Sequence, residues 1–134
     1  MSWDSYIDNL LGHTGDHCDK ACIFGLDGGA SWTSDSHPKA FKMTDAEKAA
    51  IAKALKAKDF APFQTGGIIA EGVKYQFLRA EDDIVLGKKK NEGAVTFQSS
   101  NTAIVAAHTK EGSQQGITNK GVSAVSDYLR QNNM

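Results

Sequence analysis

The chain has 134 residues, of which 40% are hydrophobic and 23% charged, and its formal net charge is -1. That length supports one domain with a core of its own, needing neither disulfides nor metal, and that composition excludes a disordered chain. The near-neutral balance excludes the global positive field that drives nonspecific nucleic-acid binding.

Residues 2–11 are the first expected helix. Apolar groups at 3, 6, 7, 10 and 11 follow the spacing of one helical face, Ser2 is its expected N-cap, and Asp4 suits the positive end of the helix dipole. Residues 21–26 read as a strand, Asp27, Gly28 and Gly29 as a turn, and 30–33, with Trp32, as the second strand of a hairpin. Thr44 to Glu47 is a capping box opening an Ala- and Lys-rich helix that runs to Lys58 and ends near residues 59–62. Short β segments follow at 67–70, 73–80, 84–89, 94–98 and 102–107, separated by turns brief enough that neighbours must pair antiparallel. A C-terminal helix beyond Gly116 places Thr118, Val122, Val125 and Leu129 on one face, with Tyr128 about 100° to the side, at the rim. Helix, hairpin, helix, antiparallel meander, helix is an α+β order in which helices pack on a sheet, within one domain over residues 1–134.

Trp3, Tyr6 and Tyr128 each stand at the edge of an apolar stripe, and Trp32 follows a tight turn. If the terminal helices pack side by side, these rings line one shallow groove. One reading is that they finish a core. The other is a groove for proline-rich ligands, in which rings stack on flat pyrrolidines while indole N–H and phenol O–H donate to the carbonyls a polyproline II helix leaves unpaired.

Two further groupings carry charge or metal-binding atoms. His13, His17, Cys18 and Cys22 offer four zinc ligands on paper. They straddle a helix end, a loop and a strand, however, unlike paired-knuckle spacing, so no metal site is expected, and no third group supports a Cys–His nucleophile. Lys88, Lys89 and Lys90 crown one hairpin, with Lys74 and Arg79 on the preceding strand, a concentration of charge suited to an anion or an acidic protein. No apolar run reaches bilayer length, and a start carrying Asp4 and Asp8 without a basic region does not read as a secretion signal, so a cytoplasmic protein with both cysteines reduced is expected.

Several segments, in order, resemble the profilin family: residues 2–6; residues 21–28 followed by Trp32; Lys74 and Tyr75; Gly87, Lys88 and Lys89; and Asp127, Tyr128 and Leu129. The resemblance implies a profilin-like central antiparallel sheet, with the N- and C-terminal helices together on one face and a further helix on the other. It also implies a noncatalytic, cofactor-free protein of the cytoplasm and cytoskeleton that binds monomeric actin, promotes its nucleotide exchange, and binds acidic phosphoinositides and the polyproline segments of formin-type assembly factors. By matching position, Trp3, Tyr6, Trp32 and Tyr128 fall on the polyproline site. Lys74, Phe77, Arg79, Lys88 and Lys90 fall on the actin face, with Gly116, Asn119 and Lys120 in the loop entering the last helix. Arg79, Lys88, Lys89 and Lys90 fall on the phosphoinositide site. Two departures stand out: Met134 where the family often has an aromatic, and Ala124 where some animal members carry glutamate. A proline-rich-ligand module with little actin binding is the alternative; it would lack the complementary charged face that Lys74, Arg79 and Lys120 supply.

Overall fold

A computed structural model describes residues 3–15, 17–34, 36–81 and 83–134. In chain order the elements are α1 (Asp4–Thr14), β1 (Cys18–Gly25), α2 (Asp45–Ala57), α3 (Ala61–Gly66), β2 (Ile68–Ala70), β3 (Val73–Glu81), β4 (Ile84–Lys89), β5 (Gly93–Ser99), β6 (Ala103–Thr109) and α4 (Gln115–Gln131). The strands form one sheet in the order β1-β6-β5-β4-β3-β2, and every named pair is antiparallel. The expected meander of five β segments is therefore β2 to β6, with β1 returning to pair with β6.

Alternation along the strands divides the apolar side chains between two layers. On one face, Phe24, Phe97, Val85, Val95 and Ile104 pack under Ile51 and Leu55 of α2 and Phe63 of α3. On the other, Ile23, Val105 and Ala107 pack under Ile7 and Leu10 of α1 and Val122, Val125 and Leu129 of α4. Ile7, Leu10, Thr118, Val122, Val125 and Leu129 are all buried, as the helical spacing requires. Gly121 lets α1 and α4 close on each other, since a Cβ there would run into the Thr14 side chain.

The capping box of α2 is complete. Thr44 Oγ1 accepts from Glu47 N–H at 3.1 Å, and Glu47 Oε1 accepts from Thr44 N–H at 2.8 Å. The same carboxylate accepts from Glu71 N–H at 2.9 Å and Gly72 N–H at 2.8 Å, fastening the β2–β3 turn to the start of α2. The expected cap of α1, Ser2, lies outside the described residues.

The structure corrects three expectations about the elements. Residues 30–33 do not form a strand: they contribute one bridge, Phe24 with Ser31. The Thr33 hydroxyl accepts from Ile23 N–H at 3.0 Å, standing where a cross-strand carbonyl would, and the N–H groups of Trp32 and Thr33 converge on Ile23 O. The hairpin ladder therefore ends as it begins. Residues 61–66 form a helix of their own, because Pro62 is tolerated in a first turn and Phe63 finds the core. Finally, Gly116, Asn119 and Lys120 are not in a loop; α4 already begins at Gln115.

Candidate functional site

Two surfaces carry the residues singled out by sequence. The first is at the outer junction of α1 and α4. Trp3 and Tyr6 stack with ring centroids 5.1 Å apart, Trp3 lies 4.7 Å from Trp32, and Tyr6 lies 6.0 Å from Tyr128. Three separate segments thus build one continuous run of four rings, at spacings where aromatic pairs attract beyond the area they bury. Trp3, Tyr6 and Trp32 are partly buried against the smaller core, whereas Tyr128 is 49% exposed, at the rim as its helical angle requires. Burial raises the Tyr6 phenol above its ordinary pKa, and the neighbouring Tyr128 adds to the shift, so the Tyr6 hydroxyl remains a protonated donor at neutral pH.

From Tyr6 and Tyr128 an open groove of about 620 Å³ continues between the helices, walled by Ser5, Asn9 and His13 of α1 and Ala124, Asp127 and Gln131 of α4. The sequence argument found the rings but not these walls. Their signal was there in the i, i+4 spacing of Ser5, Asn9 and His13, a polar stripe beside the apolar one.

The second surface is the outer face of β3 and β4, on the flank of α4. Register places its members. Gln76 pairs with Lys88, Arg79 with Leu86, and Leu86 with Thr96, whose hydroxyl donates to Asn119 Oδ1 of α4 at 2.5 Å. Lys74, two residues before Gln76, shares that side, so Lys74, Arg79, Lys88 and Asn119 belong to one face. Gly116 and Lys120 lie on the exposed flank of α4 near Asn119. Exposed Leu78 sits where the β3 register shifts between Phe77 and Arg79, adding an apolar group among these charges that sequence alone did not single out.

Phe77 is the exception. It pairs with Gly87, which pairs with Val95 of the larger core, and its ring packs against that core on the opposite side of the sheet. Strand alternation separates it from Lys74, and the register shift after Phe77 separates it from Arg79. Lys89 pairs with Gly93 and so alternates away from Lys88, while Lys90 stands in the following turn. Arg79 has one exposed ion pair, to Glu81 at 3.8 Å. Lys74, Lys88, Lys89, Lys90 and Lys120 form no ion pair among the described residues, which leaves their charge available to a partner.

The basic turn is anchored from beneath. His108 is buried, with Nδ1 2.6 Å from Asp19 Oδ1 and Nε2 2.7 Å from Glu92 O, and Gly93 N–H donates to Glu111 Oε2 at 3.1 Å. Burial pushes the Asp19 carboxyl up, but the hydrogen bond and charge of His108 outweigh it and hold Asp19 below its ordinary value.

The four candidate zinc ligands are dispersed. A register shift after Cys18 turns it toward the smaller core while Cys22 faces the larger one. His17 Nδ1 is occupied by the N–H of Gln114 at 3.1 Å. Among the described residues no three His, Cys, Asp or Glu side chains are grouped to hold a metal ion. Burial pushes the Cys18 thiol up to about 11, the opposite of a reactive thiolate. No helix among the described residues is long and apolar enough to cross a membrane.

Comparison with known proteins agrees with this architecture. A profilin of Clypeaster japonicus is 60% identical over 135 residues, covering 96% of each chain. The crystal structure of Acanthamoeba castellanii profilin II superposes with a TM-score of 0.85 at 30% identity, covering 99% of this chain and 100% of that one. Two more distant structures share the fold. Mouse profilin IIa, in complex with a double repeat from the FH1 domain of mDia1, has a TM-score of 0.76 at 24% identity and covers 100% of both chains. LokiProfilin2, in a complex with rabbit actin, has a TM-score of 0.77 at 17% identity and covers 98% of both. The family model described as Profilin matches residues 1–134, and with relatives this similar over nearly the whole length, the chain belongs to the profilin family.

Proposed function

We propose that this protein is a noncatalytic, two-site adaptor of the cytoplasm and cytoskeleton. It binds monomeric actin on the face of β3, β4 and the start of α4, and proline-rich segments in the α1–α4 groove. The observation that carries the reading is the touching set of Trp3, Tyr6, Trp32 and Tyr128, because an assembled, partly exposed row of rings is what a polyproline II helix stacks on. Family membership supports it, as do the FH1 repeat bound to mouse profilin IIa and the actin bound to LokiProfilin2.

The actin surface uses Lys74, Arg79, Lys88, Lys90, Gly116, Asn119 and Lys120; Phe77 supports its strand from the core side. Because the two sites lie on different edges of the molecule, one copy holds both ligands, and an actin monomer is brought to an assembly factor at raised effective concentration. Promotion of nucleotide exchange on actin belongs to the same proposal. So does a phosphoinositide site at Arg79, Lys88, Lys89 and Lys90, whose exposed charges make binding fall steeply with salt.

The test is capture on polyproline resin followed by blotting for actin retained through this protein. Retention of both supports the adaptor. Retention of the protein without actin supports the groove alone, and no retention removes the groove assignment.

A further inference from the structure

The segment that follows Trp32 is strapped to α1 by two contacts outside the groove. Asp4 Oδ1 accepts from the Ser34 N–H at 2.7 Å, and one helical turn later Asp8 Oδ1 lies 2.8 Å from His37 Nε2. His37 Nδ1 accepts from the Lys39 N–H at 2.9 Å. A ring nitrogen that accepts leaves the proton on the other, so Nε2–H points at Asp8. The His37 side chain is only 12% exposed, against 72% for Asp8, so the imidazole is seated and the carboxylate reaches to it. Trp3, at the start of the same helix, stands 4.7 Å from Trp32. Strap and ring pair therefore join the same two segments.

The geometry points to Asp8 and His37 as positioning residues for the groove, holding the Trp32 segment against α1 so that the Trp3–Trp32 pair is assembled before a ligand arrives. Neither residue lines the cavity between α1 and α4. They act by ordering: the backbone of Trp32 and Thr33 is tied to Ile23 of β1, but it is Asp4 and Asp8 that draw the following residues onto α1, so without the strap a ligand would have to fix the approach of the Trp32 side to α1 itself, and that cost is subtracted from affinity. The inference rests on the proline-rich-ligand reading above, and its test separates the two.

Titration with a proline decamer compares the wild type with Asp8→Ala, His37→Ala, the double variant and His37→Gln, whose amide also donates to Asp8. Thermal melting confirms that each is folded. Trp32 emission is read in a Trp3→Phe background, where it is the sole tryptophan. The expected result is roughly three- to fivefold weaker binding in each alanine variant, as for one partly exposed pair. The double variant should be no worse than either single, His37→Gln should return most of the affinity, and Trp32 emission should shift to the red in the alanine variants. Wild-type affinity and unchanged emission in Asp8→Ala and His37→Ala would overturn the strap, as would additive losses in the double variant. If His37→Ala does not fold, Asp8→Ala and His37→Gln decide by the same readouts. If the wild type itself does not bind the decamer, the groove reading falls, and Trp32 emission still decides whether Asp8 and His37 hold the segment.

Discussion

The groove and the basic face are made on opposite principles. In the groove, rings from α1, from the Trp32 segment and from α4 touch one another, so the proposed binding surface is itself part of the packing. On β3, β4 and the start of α4 the cations stand apart on exposed stems, and among the described residues there Arg79 alone has an ion pair, a loose one. The first surface is rigid, short-ranged and shape-dependent. The second, as the proposed actin face, acts through a screened field that reaches about 8 Å at physiological salt, so that a partner is steered before it touches. The same fold therefore offers one site sensitive to a displaced ring and another sensitive to ionic strength.

The largest expected effect comes from undermining the groove's foundation. Leu129→Ala removes a fully buried side chain beneath α4 and should cost about 2–5 kcal/mol of stability in urea unfolding, weakening the groove in the folded fraction. A loss below about 1 kcal/mol would mean the smaller core does not hold the helix. Next is Trp3→Ala, which touches two other rings and should cost about 2 kcal/mol or more of binding to a proline decamer, with Tyr128→Ala costing less because half of that ring already faces solvent. Full binding by both variants would sink the groove.

The basic face should respond differently. Arg79→Glu sets a carboxylate beside Glu81 on a surface proposed to meet acidic actin. It should weaken actin binding by on the order of 1–2 kcal/mol, more than Arg79→Ala, and leave polyproline binding unchanged. Equal loss of both ligands would indicate a damaged fold rather than a separate site. Raising salt from low to physiological should weaken actin and phosphoinositide binding while barely changing proline-decamer affinity; a parallel fall in both would erase the contrast.

The smallest effect is on acid stability. The folded Asp19 carboxyl titrates below its ordinary value, so its contribution is present above the unfolded pKa of about 3.8 and is lost as pH falls through the lower folded value. Asp19→Asn should therefore narrow the gap between urea midpoints at pH 7 and pH 3. An unchanged gap would show that the Asp19–His108 contact does not anchor the basic turn energetically.

Local patterns in the chain were enough for the terminal helices, the capping box at Thr44 and Glu47, and the five-strand meander, because helical and strand periods and turn residues act over a few positions. They also placed Tyr128 at a rim, since an angle on a helix follows from spacing alone. Tertiary structure decided the rest. Whether residues 30–33 make a strand depends on Thr33 taking the Ile23 N–H, a contact spanning ten residues. Arg79 and Cys18 change sides because of register shifts, which depend on the partner strand and leave no periodic trace. Closure of α1 on α4 over Gly121, the meeting of Trp3 with Trp32, and the hold of Asp8 on His37 all join residues remote in sequence, and such contacts arise only once two cores have packed on the two faces of one sheet.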